Sequence, residues 1–142
     1  MKKTIFVIAI LISGLLFVKC GEEKKKEGSE ASMETVMAIH DEVMSKMGSI
    51  SKLVATLKPM VDSTEAGQAY GKAMKDLQDA HEAMMKWMQG FGDRFDSDEI
   101  MNGKALSEEK EQWLKEEAEK MEAVKKQINE SIARAQELLD RD

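Results

Sequence analysis

The two histidines of this chain are the residues whose surroundings could support chemistry. Methionines stand three, four and seven residues away from both His40 and His81. Imidazole nitrogen and thioether sulfur are ligands that suit Cu(I), so this pattern predicts a copper site as one functional alternative. The candidate ligands are His40, His81, Met37, Met44, Met84 and Met88.

The geometry of a helical hairpin predicts that the two histidines approach one another. Residues at the same level of an antiparallel hairpin have a constant sum of residue numbers, and the first predicted turn centres on 61–63. His40 and His81 should then lie within about one helical turn of the same level. One site shared between two helices is the expectation that follows.

A structural interpretation of the same residues competes with the copper site, and the sequence favours it. Methionine is an ordinary core residue, and this chain has 12 methionines. A polar residue at a seam between helices can set their register. The two histidines could also hydrogen-bond to each other or to a nearby acid. The prediction is therefore no cofactor, with copper as the alternative.

Other metal chemistry does not fit the spacing of the residues. A di-iron carboxylate bundle needs Glu-x-x-His pairs, but Met37 and Gln78 stand three residues before His40 and His81. The acidic segment DRFDSDEIMNG, residues 93–103, lacks the glycine at position six and the glutamate at position twelve of a calcium-binding EF-hand loop. We predict a solvated acidic turn in this segment and assign no catalytic residue, so the chain is predicted not to be an enzyme.

Three long helices must position these residues. Apolar residues that alternate three and four apart predict helices over about 32–60, 64–89 and 108–139. The spacing is that of a heptad seam, as in coiled coils. The seam residues are Met33, Val36, His40, Val43, Met47, Ile50, Val54, Leu57 and Val61 in the first helix, Tyr70, Met74, Leu77, His81, Met84, Met88 and Phe91 in the second, and Leu114, Ala118, Met121, Val124, Ile128, Ile132, Ala135 and Leu139 in the third. Trp87 is expected beside the second seam and Trp113 at the edge of the third. The fold class predicted is all-α, an up-down-up three-helix bundle over residues 32–142 with coiled-coil-like heptad seams. Such narrow seams could also pair between chains, which leaves a homodimer open.

The ends of these helices are predicted from residues that favour caps and breaks. Ser32 and Ser107 are expected N-caps, and Asp62 is expected to cap the second helix together with Glu65. Pro59 should kink or end the first helix, because proline lacks the amide hydrogen that a helix interior needs. Two glycines should end the second helix, namely Gly90 and Gly92.

The first twenty residues predict where the protein is located. Lys2 and Lys3 precede an apolar run of about fifteen residues, which is shorter than the roughly twenty that span a bilayer. A basic start before such a run is typical of a secretory signal peptide, here residues 1–19. The only cysteine, Cys20, follows at once, where bacterial lipoproteins carry their acyl chains. We predict lipidation, including palmitate, at Cys20.

The segment departs from the usual lipoprotein signal at two positions. Phe17 stands where leucine is usual, and Lys19 stands where a small residue is usual. An uncleaved short anchor and a free thiol therefore remain alternatives, whereas a disulfide within the chain is excluded by the count. Gly21 after the cysteine leaves the outer membrane as the expected location, with the domain facing the periplasm or the cell surface.

The charge of the chain limits its partners. Removal of residues 1–19 would leave all 27 acidic residues but only 18 of the 21 basic ones, a formal charge of −9. Such a balance argues against nucleic-acid binding and against adsorption to anionic lipid. Residues 20–31 are highly charged and predict a disordered linker behind the lipidated cysteine. The expected partners are the membrane, through the anchor, and an envelope protein or a second copy.

Three segments in sequence order carry a resemblance to a known family. They are HDEVMSKMG, DAHEAMMKWMQGF and VKKQINESIARAQELL. Together with the start of the chain, they resemble a group of small Bacteroidetes lipoproteins often labelled "viral A-type inclusion protein". The resemblance covers roughly residues 33–139 and implies an envelope location and a helical architecture, but no catalytic residues. The first two segments each contain one of the two histidines.

The sequence thus predicts a lipid-anchored helical protein of the cell envelope with a non-enzymatic binding or structural role. Soft-metal binding in the periplasm through the His/Met stripes is the alternative.

Overall fold

The protein is an all-α three-helix bundle. The computed structural model describes residues 31–141, and these contain α-helices and one 3-10 helix but no strand. The helices are α1 (Met33–Met44), α2 (Met47–Leu57), α3 (Glu65–Arg94), α4 (Ser97–Met101) and α5 (Glu108–Leu139), with the 3-10 helix (Lys58–Met60) directly after α2. Helices α1 and α2 form the first arm, α3 the second and α5 the third, which confirms the predicted up-down-up architecture.

The predictions for the N-terminal segment lie outside the described residues. They are the signal peptide over 1–19, the lipidated Cys20 and the linker that follows it. Within residues 31–141, no helix has both the length and the apolar character needed to cross a bilayer.

The first arm differs from the single helix that was predicted. Ser32 caps α1 as expected, since its Oγ accepts a hydrogen bond from the Thr35 amide at 3.1 Å. The helix is then interrupted where the Lys46 amide donates to the Val43 carbonyl at 2.9 Å, one residue closer than in an α-helix. The Lys46 side chain reaches Asn129 of α5 at 2.8 Å, which ties the interruption to the third arm. The α2 helix ends before Pro59, as predicted.

Helix α3 runs further than predicted. The expectation that Gly90 and Gly92 end it is wrong, because the helix continues to Arg94. The last turns are held by a stack of aromatic side chains four residues apart. The ring centroids of Trp87 and Phe91, and those of Phe91 and Phe95, lie 4.8 Å apart in each pair. Burial of these rings outweighs the modest helix penalty of two glycines.

The start of α3 also corrects a predicted cap. Thr64 is the N-cap, and its Oγ1 accepts from the Gly67 amide at 3.0 Å. Asp62 instead accepts from the amide and the hydroxyl of Thr64, at 2.9 and 2.5 Å. Asp62 therefore fixes the turn that precedes the helix rather than the helix itself.

The acidic segment between α3 and α5 folds into the short helix α4 where a turn was expected. Asp96 and Glu99 form a capping box, in which each side chain accepts from the backbone amide of the other residue. Glu99 is buried, and Lys110 of α5 donates to its carboxylate at 2.6 Å. These acids are thus used in a cap and an ion pair, which connects α4 to the third arm.

The Glu99 contacts predict an acid-sensitive contribution to stability. Hydrogen bonding from Lys110, followed by that from the Asp96 amide, holds the pKa of Glu99 below its ordinary value of 4.5. A lowered pKa in the folded state means that the carboxylate stabilises the fold above pH 4.5. This contribution is lost as the pH falls below that value toward the lowered pKa.

The Glu99→Gln variant should show a weaker pH dependence than the natural protein. Glutamine can still accept a hydrogen bond in the capping box but does not titrate. The melting temperature of the variant should therefore fall less than that of the natural protein between about pH 6 and about pH 3. Circular dichroism melts across this range measure the difference. Glu34→Gln, at an exposed position in the first turn of α1, is the control and should melt like the natural protein. Identical pH profiles for the natural protein and Glu99→Gln would contradict this assignment.

Each arm contributes a fully heptad-spaced row of buried residues, which we call its inner row. The rows are Val36, Val43, Ile50 and Leu57 in the first arm, Tyr70, Leu77, Met84 and Phe91 in α3, and Leu114, Met121, Ile128 and Ala135 in α5. All twelve positions belong to the predicted seams, which confirms the heptad pattern.

The second rows of α3 and α5 are where the structure departs from the prediction. In α3 the second buried row is Ala73, Ala80 and Trp87, one residue before the predicted Met74, His81 and Met88, which corresponds to a rotation of about 100° around the helix axis. In α5 the buried positions between inner-row residues are Glu117, Val124 and Ser131. Val124 was predicted, whereas Glu117 and Ser131 replace the predicted Ala118 and Ile132.

Candidate functional site

His40 lies at the edge of the core, on the side of α1 that faces the end of α3. Its side chain is 18 % exposed, and its Nδ1 lies 2.9 Å from Oδ1 of Asp41. The imidazole ring packs against the Trp87 indole, with ring centroids 5.9 Å apart and planes tilted by 34°. These two contacts fix the orientation of the imidazole.

Beside His40 the surface forms a depression of about 200 Å³, which we call the His40 depression. It lies where α1, the last turns of α3 and α4 meet. Its lining residues are Met37, His40, Trp87, Met88, Phe91, Gly92 and Ile100. Three of the six predicted copper ligands are thus brought to one place, namely Met37, His40 and Met88.

The other three predicted ligands lie elsewhere. His81 is exposed and borders a different depression, with Ile50 and Val54. Met84 is fully buried in the inner row of α3, and Met44 is 36 % exposed on α1. Neither Met44 nor Met84 lines a depression together with His40.

The two histidines do not lie at the same level, which corrects the expectation of a shared site. His40 faces Trp87, while His81 faces Ile50 and Val54. Ten residues along the first arm correspond to about 15 Å of helix. The link after α2 lies beside the first turns of α3, where Val61 is next to Gly71.

Trp87 is a site residue that was not predicted from the sequence. It stands in the segment MMKWMQ and was expected to lie beside the seam. In the structure it belongs to the second buried row and is 6 % exposed. Its Nε1 donates to the Glu117 carbonyl at 3.2 Å, so the indole is held between α3 and α5. Its position three residues after Met84 and four before Phe91 was the available signal.

A charged cluster lies near the opposite side of Trp87. The Glu117 carboxylate is buried and pairs with Arg94 at 3.2 Å and with Lys120 at 2.8 Å. The Arg94 guanidinium also lies over the Trp113 ring, 5.4 Å from its centroid. Because this buried charge has partners, we interpret the cluster as a connection between α3 and α5.

The side chains that line the His40 depression determine which metal ions it could bind. In the part of the chain that the structure describes, no group of three or more His, Cys, Asp or Glu side chains could hold a metal ion. Any cation in the His40 depression would therefore depend on thioethers and a single imidazole. Such ligands suit soft ions and not calcium, magnesium or a structural zinc.

The chain matches no family model, no curated protein and no solved structure.

Proposed function

We propose that this protein is a lipid-anchored helical protein of the cell envelope, in which the bundle has a non-enzymatic binding or structural role. The observation that carries this proposal is the single cysteine, Cys20, directly after a basic start and an apolar run. The bundle supports it by starting with its own cap at Ser32, so that residues 21–31 separate the domain from the anchor. A segment of eleven residues can span at most about 35–40 Å.

The charged surface of the bundle supports a role in binding or structure. Many of its charges form ion pairs that connect the arms, such as Lys125 with Glu42 at 2.7 Å and Arg134 with Asp76 at 3.5 Å. We propose an envelope protein or a second copy of the chain as partner, and no nucleic acid. Light scattering of the purified chain across a concentration series would detect the second copy.

Replacement of Cys20 should abolish lipid attachment completely. In the natural protein, mass spectrometry of the membrane fraction should find a mature chain that begins at Cys20 and carries acyl chains. Several acyl chains hold a protein stably, because each buried methylene contributes about 0.8 kcal/mol. Cys20→Ser lacks the thiol that accepts the lipid, so it should retain residues 1–19 and carry no acyl chain.

Lys19→Ala provides the matched comparison. It places a small residue before the cysteine and should raise the processed fraction without changing the bundle. An unmodified Cys20 with residues 1–19 still attached, in both the natural protein and Lys19→Ala, would overturn the anchor proposal.

A second candidate function is soft-metal binding, with copper as the metal. The observation that favours it is the convergence of Met37, His40 and Met88 on the His40 depression. This candidate does not depend on the anchor, and membrane fractionation does not test it.

A further inference from the structure

We infer that the His40 depression is a Cu(I) site in which Met37, His40 and Met88 are the ligands and the Trp87 indole forms one wall. This inference deepens the second candidate function and excludes His81, Met44 and Met84 from the ligand set. Two residues that were not predicted from the sequence also belong to the site, Trp87 and Asp41.

The hydrogen bond of His40 leaves one ring nitrogen for a metal. Nδ1 lies 2.9 Å from Oδ1 of the Asp41 carboxylate. A carboxylate accepts hydrogen bonds, so Nδ1–H is the donor in this pair and Nε2 carries the lone pair. In the described part of the chain, no hydrogen bond to Nε2 of His40 is found. Histidine ligands in metalloproteins commonly make such a bond to a carboxylate, which fixes the ring and increases its basicity. Asp41 would therefore act as a positioning residue.

The two thioethers select the metal and its oxidation state. Met37 and Met88 stand on different arms, and both line the depression beside His40. One nitrogen and two neutral sulfurs suit Cu(I), which accepts low coordination numbers, whereas Cu(II) prefers tetragonal nitrogen and oxygen ligands. Because these neutral donors suit Cu(I), the site does not require a cluster of acidic side chains.

Trp87 supplies the remaining side of the site. Its ring is 5.9 Å from the His40 ring, stacks on Phe91 and is held by the Glu117 carbonyl. A cation within about 6 Å of an indole centroid is attracted by the ring face. Phe91 and Ile100 make the rest of the wall apolar. Among the side chains that line the depression, His40 is thus the one that offers a nitrogen lone pair, since Nε1 of Trp87 donates to the Glu117 carbonyl.

A titration with Cu(I) under a competing chelator tests the inference. The protein is the full-length chain in detergent with Cys20→Ser, which removes the only thiol, and with Trp113→Phe, which leaves Trp87 as the only tryptophan. Under anaerobic conditions, one equivalent of Cu(I) should bind more tightly than about 1 μM and quench the Trp87 fluorescence. Binding weaker than this, or binding with no change in Trp87 emission, would overturn the site.

Variants separate the His40 depression from other methionines and histidines. His40→Ala, and the double variant Met37→Leu with Met88→Leu, should each weaken Cu(I) binding by about tenfold or more. Met→Leu conserves side-chain volume, and a circular dichroism melt verifies that the double variant remains folded. His81→Ala and Met44→Leu are the controls and should bind as the parent chain does. Equal losses in His40→Ala and His81→Ala, or no loss in the double variant, would show that the ligands are not those named.

Asp41→Asn tests the positioning role. It removes the carboxylate charge but keeps a side-chain oxygen, so it should weaken Cu(I) binding by less than His40→Ala while the stoichiometry stays at one. The positioning role would be contradicted if this variant lost Cu(I) binding completely, or if its Cu(I) affinity were unchanged. Failure of the copper experiments would leave the lipid anchor untouched, because that is measured on the N-terminal peptide.

Discussion

Leu77→Ala should destabilise the bundle by about 2–5 kcal/mol, the range for truncation of a fully buried leucine. Leu77 is 0 % exposed and occupies the inner row of α3, the arm that packs against both α2 and α5. Truncation removes apolar contacts and leaves a cavity that the rigid helices around it fill only in part. Because small domains are stable by only about 5–15 kcal/mol, this variant should lie close to its unfolding threshold.

Chemical denaturation followed by helical circular dichroism measures the effect. Met101→Ala is the control, since the Met101 side chain is 75 % exposed on α4 and should change stability by no more than about 0.5 kcal/mol. Similar losses for both variants would show that Leu77 is not in the core of the folded protein.

Gly67→Ala should be the second large effect, with a loss of about 1–3 kcal/mol from overpacking. Gly67 is buried in the first turn of α3, and a Cβ there would lie 2.6 Å from the Asp62 amide nitrogen and in contact with the Asp62 carboxylate. A shift of Asp62 away from this Cβ would disturb the hydrogen bonds that its Oδ1 accepts from the hydroxyl and the amide of Thr64. The same two bonds hold the pKa of the Asp62 carboxyl below its ordinary value.

The same substitution at Gly90 should have the opposite effect on stability. Gly90 lies in α3, and a Cβ added there meets nothing within 4 Å. Gly90→Ala should therefore stabilise the protein by about 0.5–1 kcal/mol, because alanine loses less backbone entropy in a helix than glycine does. Thermal melts of the two variants make a direct comparison within one helix. If both substitutions stabilise the protein, Asp62 does not pack on Gly67 as described.

The heptad spacing was sufficient to predict the architecture of this protein. Residues seven apart, such as Leu77 and Met84, lie on one face of a helix whatever their partners are. The inner row of each arm could therefore be predicted from the sequence. Caps are equally local, which is why Ser32 and Ser107 were predicted correctly as N-caps. The aromatic stack that extends α3 past its glycines was not predicted, because it depends on burial by other helices.

The second row of α3 could not be predicted, because two adjacent positions competed for the same place in the seam. The spacing of three and four residues favoured Met74, His81 and Met88, but Ala73, Ala80 and Trp87 face the core. Packing against the neighbouring helices decides which of two adjacent positions turns inward. Sequence hydrophobicity does not contain this information, since it describes one helix at a time.

The sequence by itself determined the all-α class, the three arms, their inner rows and the identity of the candidate soft ligands. Only the tertiary structure decided that Met37, His40 and Met88 meet beside Trp87 while His81 borders a different depression. The physical reason is that helix formation and heptad burial are fixed by local spacing. The rotation of each helix and the level of the arms depend instead on packing between residues far apart in the chain, such as His40 against Trp87.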